Sequence, residues 1–174
     1  MKRLLLALGL MTASASSVFA ADAPTLTASK SIEINAPASV VWSLVKDFDG
    51  LNKWHPAVAK DVIVEGKNNT VGAIRLLTLG DGGTIKEKLL AYDVKGQSFK
   101  YSILEGVLPV SSYESTLKVE GTADAAKVTW SGTFKRKDVG PTPAKDADDA
   151  TAKTTMEGVY QGGLDNLKKL AEAE

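Results

Sequence analysis

Along most of this chain apolar and polar positions alternate with a period of two, and the period changes at two places. In "SIEINAP", Ser31 to Pro37, Ile32 and Ile34 alternate with polar residues and a proline closes the run, which predicts a first β-strand. In "APASVVWSLVKDFDG" the spacing becomes helical. Val40, Val41, Leu44, Val45 and Phe48 recur on one face, Pro37 suits the first turn, and Asp49-Gly50 stops the run. A second short helix or turn then carries Leu51 and Trp54 before Pro56. From there to about Arg136 alternation returns in "DVIVEG", "GAIRLLTL", "TIKEKLLAYDV", "SFKYSILEG", "SSYESTLKVEG" and "AKVTWSGTFKR", separated by turn material such as "GKNNTVG", "GDGG", "VKGQ" and "GTADAA". Six strands in succession with short links predict an antiparallel meander.

After the polar loop "KDVGPTPAKDADD", in which Asp146, Asp148 or Asp149 can cap a helix, helical spacing resumes. Met156, Val159, Tyr160, Gly163, Leu164, Leu167 and Leu170 form an apolar stripe. Gly162-Gly163 would weaken a free helix, and it permits either a close approach to the sheet or a bend. The predicted order is one strand, two short helices, six strands and a long helix. That is an α+β arrangement in which the C-terminal helix covers one face of a seven-stranded sheet.

Assigning faces exposes one anomaly. In "TIKEKLLAYD", Lys86 and Lys88 alternate with Ile85, Leu89 and Ala91, so the same alternation turns Glu87 toward the apolar face. Phe99, Tyr101 and Ile103 share a face that also takes Glu105. Tyr113, Leu117 and Val119 point inward on the next strand, with Glu114, Lys118 and Glu120 outside. Val128, Trp130, Gly132 and Phe134 point inward on the last. Arg75, on a strand apolar on both faces, is the plausible counter-charge. A lone buried carboxylate is costly, so three accounts stand: a structural Arg75–Glu87 ion pair, a β-bulge returning Glu87 to solvent, or a cavity whose few polar groups orient a small ligand.

Composition narrows the function classes. The 174 residues carry 21 basic and 21 acidic side chains without a basic cluster, so nothing suggests nucleic acid as partner. There is no cysteine, which removes thiolate chemistry, and a single histidine, His55, makes a zinc site improbable; no metal or cofactor is expected. A serine triad would need His55, yet there is no G-x-S-x-G elbow. "GDGG" lacks the context of a phosphate loop and reads as a hairpin turn. The start "MKRLLLALGLMTASASSVFAADA" has a basic end, a short apolar run and Val18-Phe19-Ala20, a small-x-small cleavage signal. It predicts a signal peptide over 1–20 and a single mature domain over 21–174, periplasmic or secreted and without a membrane span.

"SIEINAPASVVWSLVKDFDGLNKWHPAV", "GAIRLLTLGDGGTIKEKLLAYD", "YSILEGVLPVSSYESTLKV" and "VTWSGTF" together resemble the START-like, Bet v 1-like (SRPBCC) superfamily, in particular its polyketide cyclase/dehydrase branch. The resemblance covers nearly all of Ser31 to Leu170. It implies the helix-grip fold, a curved antiparallel sheet wrapped around the C-terminal helix with a ligand cavity between them. Around "GAIR", "KEKLL", "SILE" and "SYEST" the chain is similar to the plant lachrymatory-factor synthases. There an arginine and a glutamate matching Arg75 and Glu87 carry the rearrangement, and tyrosines matching Tyr101 and Tyr113 line the pocket. As an exported chain it also resembles the MxaD-type accessory proteins of methanol oxidation.

These readings make Glu87 and Arg75 the candidate catalytic pair. Trp54, His55, Arg75, Leu77, Glu87, Tyr101, Glu105, Tyr113, Trp130, Phe134, Met156 and Tyr160 are the candidate ligand-binding residues, with Trp54 and Pro56 forming one rim of the pocket mouth and His55 serving packing or gating rather than catalysis. Three functions fit: a binding or carrier protein for a small hydrophobic or amphipathic molecule; a cofactor-free isomerase, cyclase or lyase with Glu87 as general base and Arg75 stabilising an oxyanion; or an accessory protein acting on a periplasmic dehydrogenase through its surface.

Overall fold

The computed structural model describes residues 23–174; the expected signal peptide and its cleavage site lie outside the described residues. Seven strands form one curved antiparallel sheet: β1 (Leu26–Ile34), β2 (Val58–Glu65), β3 (Ile74–Leu79), β4 (Thr84–Asp93), β5 (Ser98–Gly106), β6 (Val110–Gly121) and β7 (Ala126–Arg136). Their spatial order is β1-β7-β6-β5-β4-β3-β2. The meander therefore runs unbroken from β2 to β7, and β1 joins its far edge beside β7. Helix α1 (Ala38–Val45) follows β1, and the long α2 (Asp149–Ala171) follows β7. This is the helix-grip arrangement.

The differences from expectation are local. Strand β1 begins at Leu26, five residues before Ser31, and pairs with β7 from Leu26↔Phe134 onward. Its inward position there is Ala28, too weakly apolar to mark a core face in the sequence. The second short helix is a single 3-10 turn, Leu51–Lys53. "GDGG" is the β3–β4 hairpin turn, with Gly82 at φ 88°.

Helix α2 is capped by Asp148, one of the three expected caps. Asp148 Oδ1 accepts from Thr151 N at 2.7 Å, while Asp149 is engaged elsewhere and Asp146 lies in the preceding turn. Ala152, Met156, Tyr160, Gly163, Leu164, Leu167 and Ala171 form its buried stripe, and Leu170 turns out toward solvent. Each large side chain on that stripe contributes about 1.5–3 kcal/mol relative to exposure, which is what closes the core. The helix runs unbroken through Gly162-Gly163, and of the two it is Gly163 that serves close approach. A Cβ on Gly163 would sit 2.6 Å from His55 Cδ2 and 2.9 Å from the Trp130 ring. The sheet side has a matching device: a Cβ on Gly132 would lie 2.6 Å from the Tyr160 hydroxyl.

Candidate functional site

Helix α2 packs on β1, β7 and α1, and the part of the inner face toward β3–β6 is left with a partly enclosed cavity. Its volume is about 70 Å³. The wall is mostly aliphatic: Leu51, Ala57 and Val58 from the segment after α1, Leu77 and Leu79 from β3, Ile85 from β4, Ile103 from β5, Leu108, and Met156 and Val159 from α2. Five side chains with polar atoms interrupt it: His55, Glu87, Tyr101, Tyr113 and Trp130.

Glu87 does face inward, and it does so beside a bulge. On β5, Ile103 pairs with Glu87 and Glu105 pairs with Lys86, so Leu104 is one residue extra. The bulge sends Glu105, and not Glu87, to solvent. The Glu105 side chain is 73% exposed and ion-paired to Lys86 at 3.6 Å. Glu105 is therefore no cavity residue, contrary to the regular alternation of "SFKYSILEG". Gly106 takes the inward place opposite Ile85, where a Cβ would stand 3.1 Å from Ile85 Cα.

Arg75 pairs directly across from Glu87 on β3. Its Nε and Nη2 both reach Glu87 Oε2, at 2.8 and 2.6 Å. Its Nη1 donates to the Phe48 carbonyl and to Asp61 Oδ2, the latter at 3.3 Å. The guanidinium carbon lies 4.2 Å from the centre of the Phe48 ring and 5.4 Å from that of Tyr101. Arg75 is thus sealed behind the cavity wall and does not line it. Asp61, on β2, is a third member that sequence reasoning missed. Its Oδ2 also accepts from Leu51 N at 3.0 Å, and its Oδ1 is buried without a hydrogen-bond partner. One guanidinium therefore serves two buried carboxylates. Burial raises the Asp61 pKa to about 6 and pushes Glu87 up as well, each against the pull of Arg75. Burial alone would lower Arg75, but the two carboxylates outweigh it and hold its pKa above the ordinary value.

Beside this cluster runs a chain of hydroxyls. Trp130 Nε1 donates to Tyr101 Oη at 3.0 Å, Tyr101 and Tyr113 hydroxyls are 3.3 Å apart, and those of Tyr113 and Tyr160 are 2.7 Å apart. Tyr160 reaches Ser115 Oγ at 3.2 Å, and Ser115 Oγ donates to the Ser131 carbonyl at 2.9 Å. Burial raises the pKa of all three tyrosines, which stay neutral. His55 bridges the loop to α2: its Nε2 is 3.0 Å from the Val159 carbonyl and its Nδ1 accepts from Ala57 N at 3.2 Å. Burial lowers its pKa, so the ring is neutral.

Of the expected ligand-binding residues, His55, Leu77, Glu87, Tyr101, Tyr113, Trp130 and Met156 line the cavity. Apart from Glu105, which faces solvent, the others stand behind them. Tyr160 stacks on Trp130 at 4.8 Å, Phe134 stacks on Tyr113 at 6.1 Å, and Trp54 packs on Trp130 at 5.5 Å while its carbonyl accepts from Asn166. Trp54 is a core residue and not a rim residue.

Comparison with known proteins agrees with this architecture. Residues 25–172 match the family described as polyketide cyclase / dehydrase and lipid transport. The chain belongs to that family, within the START-like, Bet v 1-like superfamily. It is similar to the solved structure of protein XoxI from Bacillus cereus, 33% identical, with a TM-score of 0.73 over 83% of this chain and 94% of that one. Among curated proteins it is similar to MLP-like protein 423 of Arabidopsis thaliana, 29% identical over 115 residues, or 60% of this chain and 73% of the relative. The abscisic acid receptor PYL2 of the same plant is 29% identical over 104 residues, 58% of this chain and about half, 54%, of the receptor.

Proposed function

We propose that this chain is an exported binding protein that holds a small apolar or amphipathic molecule between α2 and the β3–β6 part of the sheet. One observation carries the reading: Glu87, whose Oε2 takes both Arg75 contacts and whose Oε1 has no hydrogen-bond partner among the described residues, stands in an otherwise mostly aliphatic and aromatic wall. A few polar groups set into an apolar chamber is the usual form of a small-molecule site. The family's description includes lipid transport, and the receptor relative is named for a small molecule. Export rests on the leader sequence, and a mature N-terminus at Ala21 would support it.

A cofactor-free isomerase, cyclase or lyase is the second reading, and the same oxygen favours it, since a buried carboxylate with a raised pKa is a usable base. The geometry weighs toward binding. An oxyanion would need a free N–H or O–H donor in the wall, whereas Arg75 gives its N–H groups to Glu87, Asp61 and the Phe48 carbonyl and the tyrosine hydroxyls are bonded to one another. Native mass spectrometry of the protein from its own exported fraction tests the proposal. A retained small molecule, released on denaturation, is the expected result. A bare chain carrying only a stoichiometric protein partner would instead favour an accessory role.

A further inference from the structure

The hydrogen-bond directions around the cavity specify the head group of its ligand. We infer that the cavity takes molecules whose polar end is a neutral hydroxyl on an apolar body, and that it rejects carboxylates. The inference rests on the binding reading above.

The hydroxyl chain has fixed ends, which sets every proton in it. A carbonyl only accepts, so Ser115 spends its proton on Ser131 O. Tyr160 must then donate to Ser115, Tyr113 to Tyr160, and Tyr101 to Tyr113. Trp130, which can only donate, supplies the last bond at Tyr101. Every tyrosine donor is consumed within the wall. His55 is spent too: Nε2–H donates to Val159 O, and Nδ1 accepts from Ala57. What the wall offers a ligand is acceptor capacity, and its strongest free acceptor is Glu87 Oε1, because both Arg75 bonds to Glu87 land on Oε2.

A ligand hydroxyl can donate to that oxygen in a charge-assisted bond. Its own oxygen can accept from Tyr101 at the cost of the longest link in the chain, the 3.3 Å contact to Tyr113. A ketone has nothing to donate and leaves Oε1 unsatisfied. A carboxylate would bring a further negative charge against a cluster that already holds two acids for one guanidinium. The volume of about 70 Å³ is roughly half that of a cavity that admits benzene, so an alcohol of two or three carbons fits as the walls stand. A longer one requires the Met156–Val159 side to move.

The test is titration of the purified protein with matched sets at two chain lengths: 1-propanol, acetone and propionate, then 1-decanol, 2-decanone and decanoate. Binding is read at pH 7 from the Trp130 indole and Glu87 amide signals by NMR. The alcohol should bind about tenfold more tightly than the ketone, the value of one hydrogen bond to a charged acceptor, and the carboxylate should give no saturable shift. Glu87→Gln, whose amide can donate as well as accept, should shrink the alcohol-to-ketone preference to about threefold or less. A ketone or carboxylate that binds as tightly as the alcohol overturns the inference and leaves the binding reading standing. So does an undiminished preference in Glu87→Gln. If nothing binds at either length, the binding reading falls and takes the inference with it. The wild-type ranking decides the matter even if the variant does not fold.

Discussion

Arg75 and Arg136 are both buried, yet their surroundings differ in charge and in access to water. Arg136, at the end of β7, donates Nε to the Asp138 carbonyl at 2.7 Å, Nη2 to the Gly140 carbonyl at 2.7 Å, and Nη1 to Asp149 Oδ1 at 2.6 Å. It meets one carboxylate, which is 40% exposed, and two loop carbonyls, so it clips the segment before α2 to the sheet. Arg75 meets two carboxylates of which almost nothing is exposed, and one oxygen of that pair is left toward a cavity. A balanced clip needs one acid. The surplus acid at Arg75 adds desolvation without adding a cation, a stability cost of the kind functional sites carry.

The largest effect should come from Arg75→Met, which strands Glu87 and Asp61 together. We expect a loss of about 3–5 kcal/mol at pH 7 in a denaturant melt, recovering in part near pH 4 as the two acids take up protons. A loss as small as that of an exposed pair would erase the contrast between the two arginines. Arg136→Met should cost about 1–3 kcal/mol, because the groups it leaves behind can reach water. Hydrogen exchange should quicken over residues 137–148 and stay unchanged around the cavity. Faster exchange at β3 and β4 would show that the clip also supports the site.

Glu87→Gln should cost less still, under about 1 kcal/mol, since Asp61 and the Phe48 carbonyl continue to hold Arg75. If a melt shows a loss as large as that of Arg75→Met, and adding Arg75→Met restores it, Glu87 is the whole counter-ion and the pair is structural. Asp61→Asn should change stability least at pH 7 and alter its slope with pH. The folded pKa of Asp61, about 6, lies above its unfolded value of 3.8, so the folded state binds the extra proton and wild-type stability from this group falls as pH rises from about 4 to 6. The variant should lack that fall. His55 acts with the opposite sign: its folded pKa is lowered, so its contribution is lost as pH drops below 6.5, in wild type and variant alike. The difference between their melts isolates Asp61, and an identical slope in both would show that its pKa is not raised.

The sequence shows most of this fold because its alternation is regular. The six-strand meander, the α2 stripe and the inward turn of Glu87 follow from spacing, whereas the α2 cap is narrowed only to Asp146, Asp148 or Asp149. Glu105 was misplaced because a bulge leaves no mark in a run such as "SILEG"; the one hint is the glycine that follows. Asp61 was missed because "DVIVEG" is apolar on both faces, which hides its parity, although β2 puts Asp61 opposite Leu77 and Ile63 opposite Arg75. That Arg75 would sit behind the wall was not legible either. It depends on the Phe48 ring and carbonyl, brought from the turn after α1 by tertiary packing.

The bulge at Leu104 also bears on how the chain can change length. Leu104 and Glu105 both stand outward opposite Lys86, so the strand carries one residue more than the pairing needs. With Leu104 deleted, Glu105 would remain opposite Lys86, Gly106 opposite Ile85 and Glu87 opposite Ile103. Beside Glu87, β4 has no such spare residue, and a single deletion within 85–89 would exchange the two faces of part of that strand; its own extra residue, Leu90, comes only after that stretch, between the Leu89↔Tyr101 and Ala91↔Lys100 pairs. Lineages of this chain can therefore lose a residue at the β5 bulge with the cavity intact, whereas the 85–89 stretch of β4 is held to a fixed count.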